Sequence, residues 1–204
     1  MQISILILTH NRKEYFERCI KSVITAHNTS NKKYNIEILV NNDSHDIIEL
    51  CDSMPIEYYY ESSYNLSDLY LLLFNKAKGE FIYFLEDDDI MTPEFFNRID
   101  TNYDFNFMNF KHYDMFEAIQ ESRKPFIIPE DNTLFQLSQL FFKKECITEF
   151  PDGNYLDNDW KLLEQLRNTN YKLIKDIMFI QTKDAKDNIS DINLNKDTRW
   201  PTII

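Results

Sequence analysis

The chain has 204 residues, 43% hydrophobic and 15% aromatic, enough for one well-filled domain and too apolar for global disorder. Its net charge of -12 opposes a dedicated binder of duplex nucleic acid, whose phosphates call for a cationic face. Only two glycines occur, Gly79 and Gly153, which excludes the glycine-rich phosphate loops of dinucleotide-binding and P-loop proteins.

The first element is the branched apolar run Ile3 to Leu8, a buried strand ended by Asn11-Arg12. A helix follows, with Phe16, Cys19, Ile20, Val23 and Ile24 on one face. Ile36 to Val40 predicts a second buried strand, residues 44–53 a short helix, and Ile56 to Tyr60 a third strand. Residues 65–78 predict a helix with Leu66, Leu69, Leu73 and Phe74 inward and Gly79 as its stop. The run Glu80 to Leu85 is a fourth strand. Beyond it the pattern loosens. It predicts a short helix at Glu94 to Asp100, strands at Phe105 to Phe110 and Gln139 to Phe142, a helix at Asp157 to Leu166, and a strand or two at Tyr171 to Gln181. The tail from Asp184 is polar and poorly patterned.

Strands alternating with helices over the first ninety residues predict an α/β fold with a mostly parallel sheet flanked by helices. A smaller irregular α+β region follows in the same domain. The division falls into residues 1–92, on the ligand side, and 93–204, which carry the tail. Ligands bind beyond the carboxyl ends of such strands. Thr9, His10, Asn11, Asn42, Asp43 and Glu86 to Asp89 all lie there.

The run Glu86-Asp87-Asp88-Asp89 closes an apolar strand. Four adjacent carboxylates repel one another, and a hard divalent cation with oxygen ligands is the simplest neutraliser. Such a metal usually bridges carboxylates and substrate phosphates. The plainer alternative is a solvated turn capping the helix after Pro93. Cys19, Cys51 and Cys146 match no zinc or redox spacing, and His10, His27, His45 and His112 make no ligand set. The opening residues are too short for a signal peptide. No run reaches the ~18 apolar residues of a membrane span, so a cytoplasmic protein is expected.

Four segments resemble family 2 glycosyltransferases of GT-A fold, which are inverting and use nucleotide-sugar donors. They are Ser4 to Arg12 (the opening strand and "TYNR" loop), Glu37 to Ser44, Asn75 to Pro93, and Asp157 to Leu162. The third is the most specific. The resemblance implies a nucleotide-sugar donor, UDP-linked, framed by Thr9, His10, Asn11, Arg12, Asn42, Glu86 and Asp87. It also implies a manganese or magnesium ion on Asp88 with Glu86, or on Asp87 or Asp89 if the register differs by one, and Asp159 or else Asp157 as the catalytic base. Either aspartate reads equally as a helix N-cap. Arg12 reads as a donor-phosphate contact or as an exposed, solvated side chain.

The departures are informative. His10 stands for the family's usual Tyr, Asn41-Asn42 for two aspartates, and Glu86 for the first Asp of the metal motif. An Asn amide both donates and accepts, so Asn42 leaves the nucleotide base open. No clear match follows to the family's later Arg/His segment, near Lys183 and Lys186. The expected acceptor is a glycan, a lipid-linked sugar or a small molecule. Transfer to a modified DNA base, as in some bacteriophage enzymes, is opposed by the charge, and a basic groove of Lys111, Arg123, Lys143 and Lys144 would revive it. A sugar-nucleotide-binding module without catalysis is a further alternative. A nucleotidyltransferase is disfavoured, because no glycine-rich basic opening loop is present.

Overall fold

The computed structural model describes residues 1–42, 45–54, 56–60, 66–113, 128, 136–151 and 155–182. Eight strands form one sheet: β1 (Gln2–Thr9), β2 (Asn35–Asn42), β3 (Glu57–Tyr60), β4 (Phe81–Phe84), β5 (Ile90–Met91), β6 (Phe105–Tyr113), β7 (Leu140–Lys143) and β8 (Tyr171–Thr182). Their order is β3-β2-β1-β4-β7-β6-β8-β5. The first four run parallel, β7 is antiparallel to both neighbours, and β8 returns parallel to β6. The helices are α1 (Lys13–Thr29), α2 (His45–Asp52), α3 (Leu66–Lys76), α4 (Phe95–Arg98) and α5 (Tyr155–Leu166).

Period-2 alternation divides the apolar residues between the two faces of the sheet. Ile3, Ile5 and Ile7 of β1 pack with Phe16, Cys19, Ile20 and Val23 of α1. Leu6, Leu39, Ile82 and Phe84 face the other way, against Tyr70, Leu73 and Phe74 of α3 and Leu162, Leu163 and Leu166 of α5. Covering both faces suits the near-continuous apolar runs of the parallel strands.

Several boundaries differ from the sequence reading. The helix expected at Glu94 to Asp100 is a single turn, because Ile99 is already extended at ψ 147°. Gln139 belongs to a 3-10 turn, Leu137–Gln139, and its strand starts at Leu140. The segment from Tyr171 is one strand with a register shift opposite Met108 to Phe110. β5 was not anticipated at all. It exists through pairing with a strand far along the chain, Ile90 with Ile180 and Met91 with Phe179.

Gly79 does not terminate α3, which ends at Lys76. Its role is close approach. A Cβ there would lie 2.4 Å from Ser4 Oγ and 2.5 Å from Ser4 N. The Gly79 N–H donates to Ser4 Oγ at 2.7 Å and to Glu37 Oε1 at 3.0 Å, and the Ser4 hydroxyl itself donates to Glu37. This junction ties the starts of β1, β2 and β4 together. Gly79→Ala must push backbone against backbone. It is expected to cost about 3 kcal/mol and to lower the melting temperature by roughly 10 °C. Denaturant and thermal unfolding of the variant check this, and an unchanged midpoint would refute the close-approach account.

Candidate active site

The parallel register puts the candidate residues at one end of the sheet. Thr9 pairs with Asn42, the last residues of β1 and β2. β4 makes its last pair with β1 at Phe84 and Leu6, and Leu85 N–H then donates to Leu6 O at 3.0 Å. The chain turns at once, with Asp89 N–H bonding back to Glu86 O at 3.1 Å. Residues 86–89 are therefore a tight turn beside Thr9 rather than a solvated loop. Asp87, Asp88 and Asp89 are buried and Glu86 is half-buried.

Asn11 has φ 49°, a left-handed conformation that asparagine tolerates better than most residues. It bends the chain between β1 and α1, so that Arg12, the residue before α1, lies across the acidic turn. Arg12 Nε donates to Asp87 Oδ2 at 3.2 Å, its Nη2 donates to Asp87 Oδ1, and its Nη1 donates to Asp88 Oδ2 at 3.2 Å. This overturns the exposed, solvated expectation for Arg12, because two neighbouring carboxylates hold its side chain as an internal ion pair, 18% exposed. Although burial works against its charge, Asp87 and Asp88 outweigh it and raise its pKa. Beside it, the Asn11 side-chain amide lies 3.2 Å from His10 Nε2.

Two further residues were missed. Arg18 Nη2 donates to the Asp88 carbonyl at 3.2 Å and to Thr182 Oγ1 at 2.9 Å. Thr182 N–H donates to Asp89 Oδ1 at 3.3 Å. In sequence Arg18 lies among the polar residues between the apolar positions of α1, and no local signal pointed it at the turn. Cys19 lies beneath, its thiol 3.5 Å from Glu86 O. Burial first, then Asp87, Asp89 and Asp88, push that thiol well up, so it stays protonated and inert.

The carboxylates are correspondingly weak acids. Desolvation chiefly, then the charges of Asp88, Asp159 and Asp87, raise Glu86. Burial lifts Asp87 to about 6 although Arg12 opposes it. Burial and the neighbouring Glu86 and Asp88 raise Asp89 well above its usual value. Asp159, half-buried on α5, accepts the N–H of Leu137, yet desolvation lifts it to about 7. Asp159 thus stands within electrostatic reach of Glu86. The side chain of Asp157 lies outside the described residues, as do Lys183, Lys186, Arg123 and the side chain of Lys111.

The turn's geometry suits a cation. One oxygen each from Glu86, Asp88 and Asp89 lie within 4.8 Å of one another. Asp89 Oδ2 is buried and has no hydrogen-bond partner among the described residues. An orphan carboxylate oxygen beside two other carboxylates fits a hard divalent ion with oxygen ligands. The two described lysines of the conjectured basic groove are engaged elsewhere. Lys143 pairs with Asp104 at 2.8 Å, and Lys144 Nζ donates to Ala77 O at 2.6 Å. No described helix is long and apolar enough to cross a membrane.

The fold is shared with solved glycosyltransferase structures. S. aureus TarS 1-349 in complex with UDP-GlcNAc is 16% identical over 93% of this chain and 61% of that one, with TM-score 0.69. Its complex with UDP is 15% identical over 89% of this chain and 60% of that one, with TM-score 0.67. Mannosyltransferase PcManGT from Pyrobaculum calidifontis, with GDP-Man and Mn2+, is 10% identical over 88% of this chain and 56% of that one, with TM-score 0.61. The chain thus spans less than two thirds of the length of these structures. No curated protein matches it in sequence. The α/β sheet with its flanking helices is a GT-A fold, and a family model, "Glycosyl transferase family 2", matches residues 4–150; the chain belongs to that family.

Proposed function

We propose that this protein is a metal-dependent, inverting glycosyltransferase that moves a sugar from a nucleotide-diphosphate donor to an acceptor hydroxyl. The observation that carries the reading is the carboxylate cluster of Glu86, Asp88 and Asp89 at the end of the parallel strands, with Asp159, lifted to about 7 by burial, near enough to raise Glu86. A base poised near neutrality beside a diphosphate-binding turn is what direct displacement requires. Asp159 takes the proton of the acceptor hydroxyl as that oxygen attacks the anomeric carbon. Attack from the face opposite the leaving phosphate inverts the centre.

Thr9, His10, Asn11 and Asn42 frame the nucleoside, with the Asn42 amide reading the base. UDP is the donor nucleotide suggested by the family resemblance and by the TarS complexes, while PcManGT carries GDP-Man. Asp88, with Glu86 and Asp89, would hold manganese or magnesium, which supplies positive charge for the leaving diphosphate. Glu86 also reaches the ribose hydroxyls. A glycan, lipid-linked sugar or small molecule is the acceptor class. The tied-down Lys143 and Lys144 weigh against DNA.

Thermal shift with manganese and a panel of sugar nucleotides tests the donor site. One nucleotide class is expected to raise the melting temperature only with metal present, and slow hydrolysis of that donor is expected alongside. If no sugar nucleotide stabilises the protein with any divalent metal, the donor-site reading is wrong. Stabilisation without hydrolysis or transfer would favour the binding-module alternative.

A further inference from the structure

Arg12 divides its grip unequally. It holds Asp87 through two donors, Nε and Nη2, and Asp88 through one, Nη1 at 3.2 Å. The carboxylate it clamps twice, Asp87, is the member of the turn outside the metal-compatible group of Glu86, Asp88 and Asp89. The carboxylate it touches once is inside that group. A planar fork anchored on Asp87 can therefore release Asp88 without leaving the site. The side chain is only 18% exposed, so its charge acts on the turn with little screening. A divalent ion on Asp88 and this guanidinium answer the same negative charge and repel each other at close range.

We propose that Arg12 is a resident counter-cation that competes with the divalent metal for Asp88 and so sets the metal affinity of the donor site. Asp87 is its anchor, and the Nη1 limb on Asp88 yields when the metal binds. The inference rests on the metal reading of the acidic turn.

The test uses the full chain without nucleotide. Manganese binding is measured by the electron paramagnetic resonance of the free ion for wild type, Arg12→Gln and Arg12→Lys. Arg12→Gln, which removes the competing charge, is expected to bind manganese about tenfold more tightly. Arg12→Lys keeps the charge without the fork and is expected to fall between. Equal or weaker binding by a folded Arg12→Gln protein overturns the proposal and leaves Arg12 a structural brace. A second measurement stands even if that variant does not fold. Magnesium added to wild-type protein is expected to shift the guanidinium nitrogen and proton resonances of Arg12, with the Nη signals moving more than Nε. Magnesium binding with unmoved Arg12 signals overturns the proposal alone. If neither wild type nor either variant binds any divalent ion, the metal reading itself falls and this proposal with it.

Discussion

Replacing Asp88 by Asn is expected to lower sugar transfer by about a thousandfold and to remove the metal-linked rise in melting temperature. Asn keeps the shape of the side chain and one acceptor oxygen but loses the charge. In wild type, metal at a hundred times its dissociation constant adds about 2.7 kcal/mol of stability. In the variant that increment should be nearly gone. Glu86 and Asp89 remain in the turn, but burial and mutual repulsion disfavour their charged forms. Transfer rate and metal-dependent melting on one preparation make the check. A retained metal shift would move the principal ligand to Asp89 or Glu86.

Asp159→Asn should separate binding from chemistry. Donor affinity, read from the nucleotide-dependent thermal shift, is expected to stay near wild type, while turnover falls by roughly a hundredfold to ten-thousandfold. The pH profile gives an independent reading. Only the ionised carboxylate accepts a proton, and burial places Asp159 at about 7. Wild-type kcat/KM should therefore rise about tenfold per pH unit below that value and level off above it. The Asn variant should lack this limb. Unchanged turnover would assign the base elsewhere, with Asp157 the next residue to replace.

The parallel half of the sheet was readable because its signals are local. Ile3 to Leu8, Ile36 to Val40 and Phe81 to Phe84 are short apolar runs, each preceded or followed by a helical period. The site's outline was readable for the same reason, since it sits where those runs stop. What escaped the sequence depends on residues far apart along the chain. Arg18 and Thr182 meet across 164 residues, and β5 pairs with a strand some ninety residues later. The carboxylate partners of Arg12 escaped the sequence because its type and position suit a phosphate as well as a carboxylate. The bend at Asn11 that brings Arg12 across the acidic turn has no signature in the residues themselves. Gly79 was misassigned because a glycine after a helix has two ordinary uses, and only the backbone of Ser4, 2.5 Å from where a Cβ would stand, selects one.

The hydrogen bonds that Thr182 donates to Asp89 and accepts from Arg18 also bear on when the site can be completed. The acidic turn is translated long before Thr182, which sits at the end of the strand that joins β6 to β5. A nascent chain can pair β1 through β4 early, because those strands follow one another closely, while the β6–β8 ladder must wait. Until β8 docks, Asp89 lacks its one backbone donor and Arg18 lacks its brace. The candidate site is therefore complete only when β8 has paired with β6, however early its carboxylates are made.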